Sequence, residues 1–272
     1  MYRFLYRPKW VVFHLFCIAA VVVMVNLGFW QLRRLDERQA FNAQVRSHEA
    51  LPVVPFEEVV GPDTDPDEVQ WRQVTATGTY LQDEQVIIVN RTQDSIPGVN
   101  VVTPLELADG TIVLVNRGFV AAADEVPTAP EGTVQVLGRI RETQERALGQ
   151  LSEAAEGELT EAYRIHIPRL APQMPGPVAP VYLDLITSEP SQGLVPVPVP
   201  EPELTDGPHL GYAIQWFFFS ACVPAGWVIG VRKSVAARRA EALKAERGGA
   251  ESPAAEPGVT PPSADEVPTA PS

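Results

Sequence analysis

Between Leu210 and Val231 the chain carries no formally charged side chain. A helix crossing the roughly 30 Å hydrocarbon layer of a bilayer needs about 20 predominantly apolar residues, and this stretch is long enough, whereas a run of about 10–14 would suit a buried soluble helix. Tyr212 and Trp216 stand at one end and Arg232 and Lys233 at the other, the aromatic and basic anchors that seat a span between two interfaces. A second uncharged run, Trp10 to Trp30, contains only His14 and Asn26 as strongly polar members. No convincing small-residue cleavage site follows it, so an uncleaved anchor is expected rather than a signal peptide or a mitochondrial presequence.

Orientation follows from the basic residues of the short flanks. The first span is ambiguous, with Arg3, Arg7 and Lys9 before it and Arg33, Arg34 and Arg38 after it. The second is not. Residues 170–209 contain no Lys or Arg, whereas Arg232, Lys233, Arg238, Arg239, Lys244 and Arg247 crowd its far end. Both termini are therefore expected in the cytoplasm of a bacterial cell whose membrane holds both spans. The expected divisions are a cytoplasmic N-terminus over 1–9, a span over 10–30, an extracytoplasmic domain over 31–208, a span over 209–231, a basic cytoplasmic helix over 232–247 and a disordered tail over 248–272.

The outward segment sets the fold class: an α+β membrane protein, with two transmembrane helices flanking a mainly antiparallel β extracytoplasmic domain. Gln31 to Ala50 has no Gly or Pro and continues the first helix. Strands are expected at 71–81, 85–91, 98–107, 111–120, 133–141, 163–167 and 181–186. Asp109-Gly110 predicts a tight hairpin turn with both residues at positive φ. The segment 144–161 has weak helical character, and the Pro-rich stretch 190–208 reads as a stiff extended strut. The lack of crossover helices between the strands argues against a parallel α/β sheet.

The chemistry is sparse. Both cysteines, Cys17 and Cys222, lie in the spans, so the outer domain has no disulfide. It also has no lysine, which argues against nucleic acid as a partner. Nucleophile-elbow, phosphate-loop and zinc-protease motifs are absent, and binding is favoured over turnover. The membrane threshold is richer. Gly28, Trp30, Gln31, Arg33 and Arg34 end the first span, and His209, Tyr212, Gln215 and Trp216 begin the second, at one depth if the helices pair. An aromatic belt with a capping His accounts for this spacing. So does a planar cofactor site, in which a neutral imidazole ligates iron, aromatic rings flank a macrocycle and arginines meet its carboxylates. His14 lies toward the opposite end and reads as a polar seam residue.

Five segments in order, GFWQLRRLDER (28–38), PGVNVVTPLEL (97–107), VNRGFV (115–120), PVYLDL (180–185) and GPHLGYAIQWFFFSA (207–221), resemble the surfeit-locus-one family over residues 10–233. Residues 147–180 depart from that pattern. The resemblance implies a non-enzymatic, membrane-bound assembly factor of haem-copper cytochrome c oxidase that handles haem a. It implies His209 as the iron ligand, with Trp30, Gln31, Arg33, Arg34, Tyr212, Gln215 and Trp216 around the cofactor. The implied partners are the oxidase catalytic subunit and haem a synthase. The alternative is a cofactor-free scaffold that binds the nascent oxidase subunit through its outer domain.

Overall fold

A computed structural model describes residues 3–154 and 156–250. The expected tail therefore lies outside the described residues from position 251 onward. The elements in chain order are α1 (Pro8–Glu49), β1 (Val54–Pro55), α2 (Pro66–Val69), β2 (Gln73–Tyr80), β3 (Val86–Gln93), β4 (Ile96–Leu107), β5 (Ile112–Ala121), β6 (Thr133–Glu142), β7 (Glu161–Ala162), α3 (Ile167–Leu170), β8 (Val178–Glu189) and α4 (His209–Ala250). The chain divides into two compact units. One comprises the chain up to Arg34 together with the chain from Pro208, and the other is Leu35–Gly207.

In the first unit α1 and α4 are each long and apolar enough to cross a membrane. The first residue of α4 follows Pro208, whose carbonyl accepts the Tyr212 N–H at 3.2 Å and so takes the first intrahelical bond. Within α4, Pro224 has no N–H to give the carbonyl of Ser220. α1 ends where expected. Leu51 N–H bonds the His48 carbonyl, and Pro52 disfavours helical backbone at the residue before it.

The second unit is built on a closed barrel in which β2, β6, β8, β5 and β4 pair in turn and β4 returns to β2. β2–β4, β2–β6, β3–β4, β4–β5 and β6–β8 are antiparallel, whereas β5–β8 and the two-residue pairings β1–β2 and β3–β7 are parallel. Closure depends on Gly78: a Cβ there would lie 2.2 Å from the Glu106 carbonyl oxygen of β4. Val74, Leu105, Val115, Val136, Ile140 and Leu183 fill the barrel, and a second core of Ile88, Val102, Leu114, Ile165 and Leu170 covers its outer face beneath α3. Having cover on both faces, β5 is buried at nine successive positions.

Several expectations need correction. Residues 163–167 form no strand: only Glu161 and Ala162 pair with β3. Ile165 and Ile167 give their N–H groups to the side chains of Gln144 and Thr143, and Pro168 at the start of α3 turns the backbone helical. Residues 144–154 and 156–160 contain no helix. At the β4–β5 hairpin only Gly110 has positive φ, at +83°, so the turn is a three-residue loop ending in a left-handed glycine. The two-residue turn with both φ values positive is instead Asp94-Ser95, joining β3 to β4.

The C-terminal half of α1 holds the Pro-rich strut. Arg38 donates to the carbonyls of Glu203 (2.6 Å) and Thr205 (3.0 Å), Arg46 to that of Leu204 (3.0 Å), and Gln39 and Asn42 to the Asp206 carboxylate. An extended segment outside any ladder needs donors for its carbonyls, and these side chains supply them. Phe41 packs edge-on against Trp71 at 5.5 Å, and the Arg141 guanidinium stacks over the Trp71 ring, 3.7 Å from its centroid.

Candidate functional site at the membrane threshold

Small residues bring the paired helices close. Gly28 is buried, and a Cβ on it would come within 2.8 Å of the Phe217 ring, while Ala213 is 1% exposed. Small side chains at a helix seam let backbones approach, the usual packing device where lipid removes the hydrophobic drive. One turn outward along that seam, His209 Nδ1 lies 2.8 Å from Gln31 Oε1. The amide oxygen can only accept, so Nδ1 carries the proton and donates. In a neutral imidazole the lone pair then resides on Nε2, the arrangement that a second partner imposes on a metal-ligating histidine.

The other expected site residues are distributed around this pair. Trp30 is 44% exposed, with the Arg34 guanidinium 5.8 Å from its ring centroid. Tyr212 is 47% exposed, Gln215 and Arg33 are exposed, and Trp216 is half-buried with its ring edge-on to Phe219 at 6.3 Å. The structure thus joins His209 to Gln31, and the rings of Trp30 and Tyr212 present open surface instead of packing into the seam.

The other histidines are differently occupied. His48 donates from Nδ1 to the Gln70 carbonyl at 2.6 Å, and His166 Nε2 lies 3.6 Å from Glu145. His14 is a seam residue, as expected, but its partner was not foreseen: the indole N–H of Trp227 donates to His14 Nδ1 at 2.8 Å. An indole can only donate. His14 Nδ1 must therefore be bare and Nε2 protonated, the reverse of His209. Among the described residues no group of three His, Cys, Asp or Glu side chains is placed to hold a metal ion.

A second polar constellation, in the β-rich unit, was not singled out from the sequence. Asn116 donates to Asp184 at 2.7 Å, and Arg141 Nε lies 3.9 Å from the same carboxylate. Burial raises the Asp184 pKa against the opposing pull of Arg141, the Asn116 bond, Arg139 and Arg91. Arg117, fully buried, donates to the carbonyls of Pro127 and Thr128 and to Gln192 Oε1. Gln192 in turn donates to the carbonyls of Arg117 and Pro196. Burial lowers the Arg117 pKa, with neighbouring Tyr80 acting the other way. The Arg117–Gln192 pair fastens the barrel to the strut. The constellation's signal in the sequence was polar residues inside two otherwise apolar strands, Asn116 and Arg117 in VNRGFV and Asp184 in PVYLDL.

Residues 18–221 match the model of the SURF1 family. An uncharacterized SURF1-like protein of Mycobacterium bovis is 31% identical over 245 residues, covering 88% of this chain and 89% of the relative. A SURF1-like protein of Monosiga brevicollis is 28% identical over 237 residues, covering 79% and 86%. A SURF1-like protein of Rickettsia felis is 25% identical over 115 residues, covering 42% and 48%.

Proposed function

The chain belongs to the SURF1 family, a family of oxidase assembly factors rather than of enzymes, and on that premise we propose that it holds haem a at the outer membrane threshold and passes it to the catalytic subunit of a haem-copper cytochrome c oxidase. The observation that carries this reading is the His209–Gln31 hydrogen bond. It directs the proton to Nδ1 and leaves Nε2 as a lone-pair donor. Haem iron takes such a neutral imidazole as an axial ligand.

The donor set fits the group. His209 would bind the iron, Gln31 fixes its tautomer, and Trp30, Tyr212 and Trp216 offer aromatic surface to a planar macrocycle. Arg33 and Arg34 would meet propionate carboxylates, and Gln215 adds a polar contact. When bound, the haem supplies a redox-active iron centre destined for the oxidase. The protein's own part is to hold and orient it. A single neutral ligand with exposed flanking rings suits transient custody: affinity rests on few contacts, and release leaves the helix seam intact.

The reading is supported by the two apolar helices and by the basic residues that follow the second span, which under the positive-inside rule would put the β unit on the outer side. Haem a synthase is the source such custody requires. The test is to produce the full chain in cells that make haem a, purify it in detergent and record its absorption spectrum. Wild type should carry a Soret band, and His209→Ala should lose it. A variant with undiminished absorbance per mole would end the ligand role, and a colourless wild type that co-purifies with the oxidase subunit would replace it with a cofactor-free scaffold.

A further inference from the structure

Gly28 and Gln31 stand three residues apart on α1, and His209, Ala213 and Phe217 recur every four on α4, so each set shares one helix face. The two sets meet along one seam. Gln31 pairs with His209 there, and the bare backbone of Gly28 receives the Phe217 ring. A Cβ on Gly28 would lie 2.8 Å from the ring atoms Cε1 and Cζ and 3.1 Å from Cδ1. Helical side chains lean toward the N-terminus of their own helix, which on α4 is the His209 end. Phe29, beside Gly28 on α1, meets the same ring edge-on, with centroids 5.4 Å apart.

The seat bears on the imidazole because the tolerances are small. Ordinary contact begins at 3.4 Å, so one methyl on Gly28 would push the ring and α1 apart by about 0.6 Å. The 2.8 Å bond from His209 Nδ1 to Gln31 Oε1 would then lengthen to about 3.4 Å, past the working range of an N–H···O bond. Without that acceptor Nδ1 no longer holds the proton, and Nε2 is no longer kept bare. We propose that Gly28 is a positioning residue for His209: by admitting the Phe217 ring to its backbone, it sets the helix separation at which Gln31 accepts from Nδ1. The consequence for cofactor custody rests on the haem reading above, whereas the tautomer does not.

The experiment takes the histidine-labelled full chain in detergent, reads the neutral tautomer of His209 by nitrogen-15 NMR, and titrates the same samples with haem a by absorbance. Wild type should hold the proton on Nδ1. Gly28→Ala should move it to Nε2 and weaken haem binding about tenfold. Adding Phe217→Leu, which has no atoms in place of Cε1 and Cζ, should restore both. Gly211→Ala, on α4, puts a Cβ where nothing lies within 4 Å and should change neither. A wild type protonated on Nε2, equal tautomers in wild type and Gly28→Ala, a double variant that stays on Nε2, or a Gly211→Ala as damaging as Gly28→Ala would overturn the proposal. The double variant relieves the contact, so it decides the matter even if Gly28→Ala fails to insert. A wild type protonated on Nδ1 that takes up no haem would end the haem reading and leave the positioning role standing. A tautomer unmoved by Gly28→Ala ends the positioning role whatever haem does.

Discussion

Gly78→Ala tests whether the barrel is closed at β2–β4. The added methyl would sit 2.2 Å from the Glu106 oxygen, 2.9 Å from its carbonyl carbon and 3.1 Å from Leu105 Cγ, where ordinary contact begins at 3.4 Å. The first two atoms are backbone, so no side-chain rotation relieves the clash. β2 and β4 must part by about 1.2 Å, which takes a hydrogen bond beyond its working range. Closure rests on only three paired positions, Gly78–Leu107, Thr79–Glu106 and Tyr80–Leu105. Losing about two hydrogen bonds at about 1 kcal/mol each, plus residual overpacking, destabilises the outer unit by about 3 kcal/mol. For a unit of this size that lowers the melting temperature by roughly 6–12 °C. Thermal unfolding of the detergent-solubilised full chain, followed by circular dichroism of the β-sheet, measures it. Gly110→Ala is the control. Its Cβ would meet nothing within 4 Å, and only its φ of +83° resists, so about 1 kcal/mol and roughly 2–4 °C are expected. If Gly78→Ala were as mild as the control, the closure would not be the constraint described.

Three further outcomes follow from the same contacts. Gln31→Leu removes the acceptor for His209 Nδ1 and should weaken haem binding about 10–100-fold, whereas Gln31→Glu keeps an acceptor and most of the affinity; haem titration followed by absorbance separates them. Arg117→Lys cannot reach the three acceptors that the guanidinium fork serves and should cost about 2–4 kcal/mol in chemical denaturation. Burial pushes the Tyr80 phenol from 10.0 up to about 12, so its contribution is complete below pH 10 and is lost as pH rises to about 12. Tyr80→Phe should therefore resist alkaline unfolding over that window by about 2–3 kcal/mol relative to wild type.

The long-range architecture was legible because it rests on coarse signals. Two uncharged runs gave the helices, the absence of Gly and Pro after Gly28 gave the extension of α1, and alternation gave five of the strands nearly in full. The failures were local. Tyr163 to Ile167 looks like a strand by composition, but side chains from Thr143 and Gln144 take the N–H groups a ladder would have used. Asp94-Ser95 lacks the glycine that usually announces a two-residue turn. Barrel closure was invisible because a single glycine among alternating residues carries it. At the threshold the residue types were legible and one pairing was not. Helical spacing places His209 on the seam face but cannot say which side chain across the seam receives its proton. The His14–Trp227 bond was beyond reach for the same reason, since it joins residues 213 positions apart.

The central claim is that two span histidines are held in opposite tautomers, His209 with a bare Nε2 and His14 with a bare Nδ1. Nitrogen-15 NMR of the histidine-labelled full chain in detergent, assigned with His14→Gln and His209→Ala, reads the protonated nitrogen of each ring directly. Of the two neutral tautomers, the account predicts the one with its proton on Nδ1 at His209 and the one with its proton on Nε2 at His14. A neutral His209 tautomer with its proton on Nε2 would contradict it.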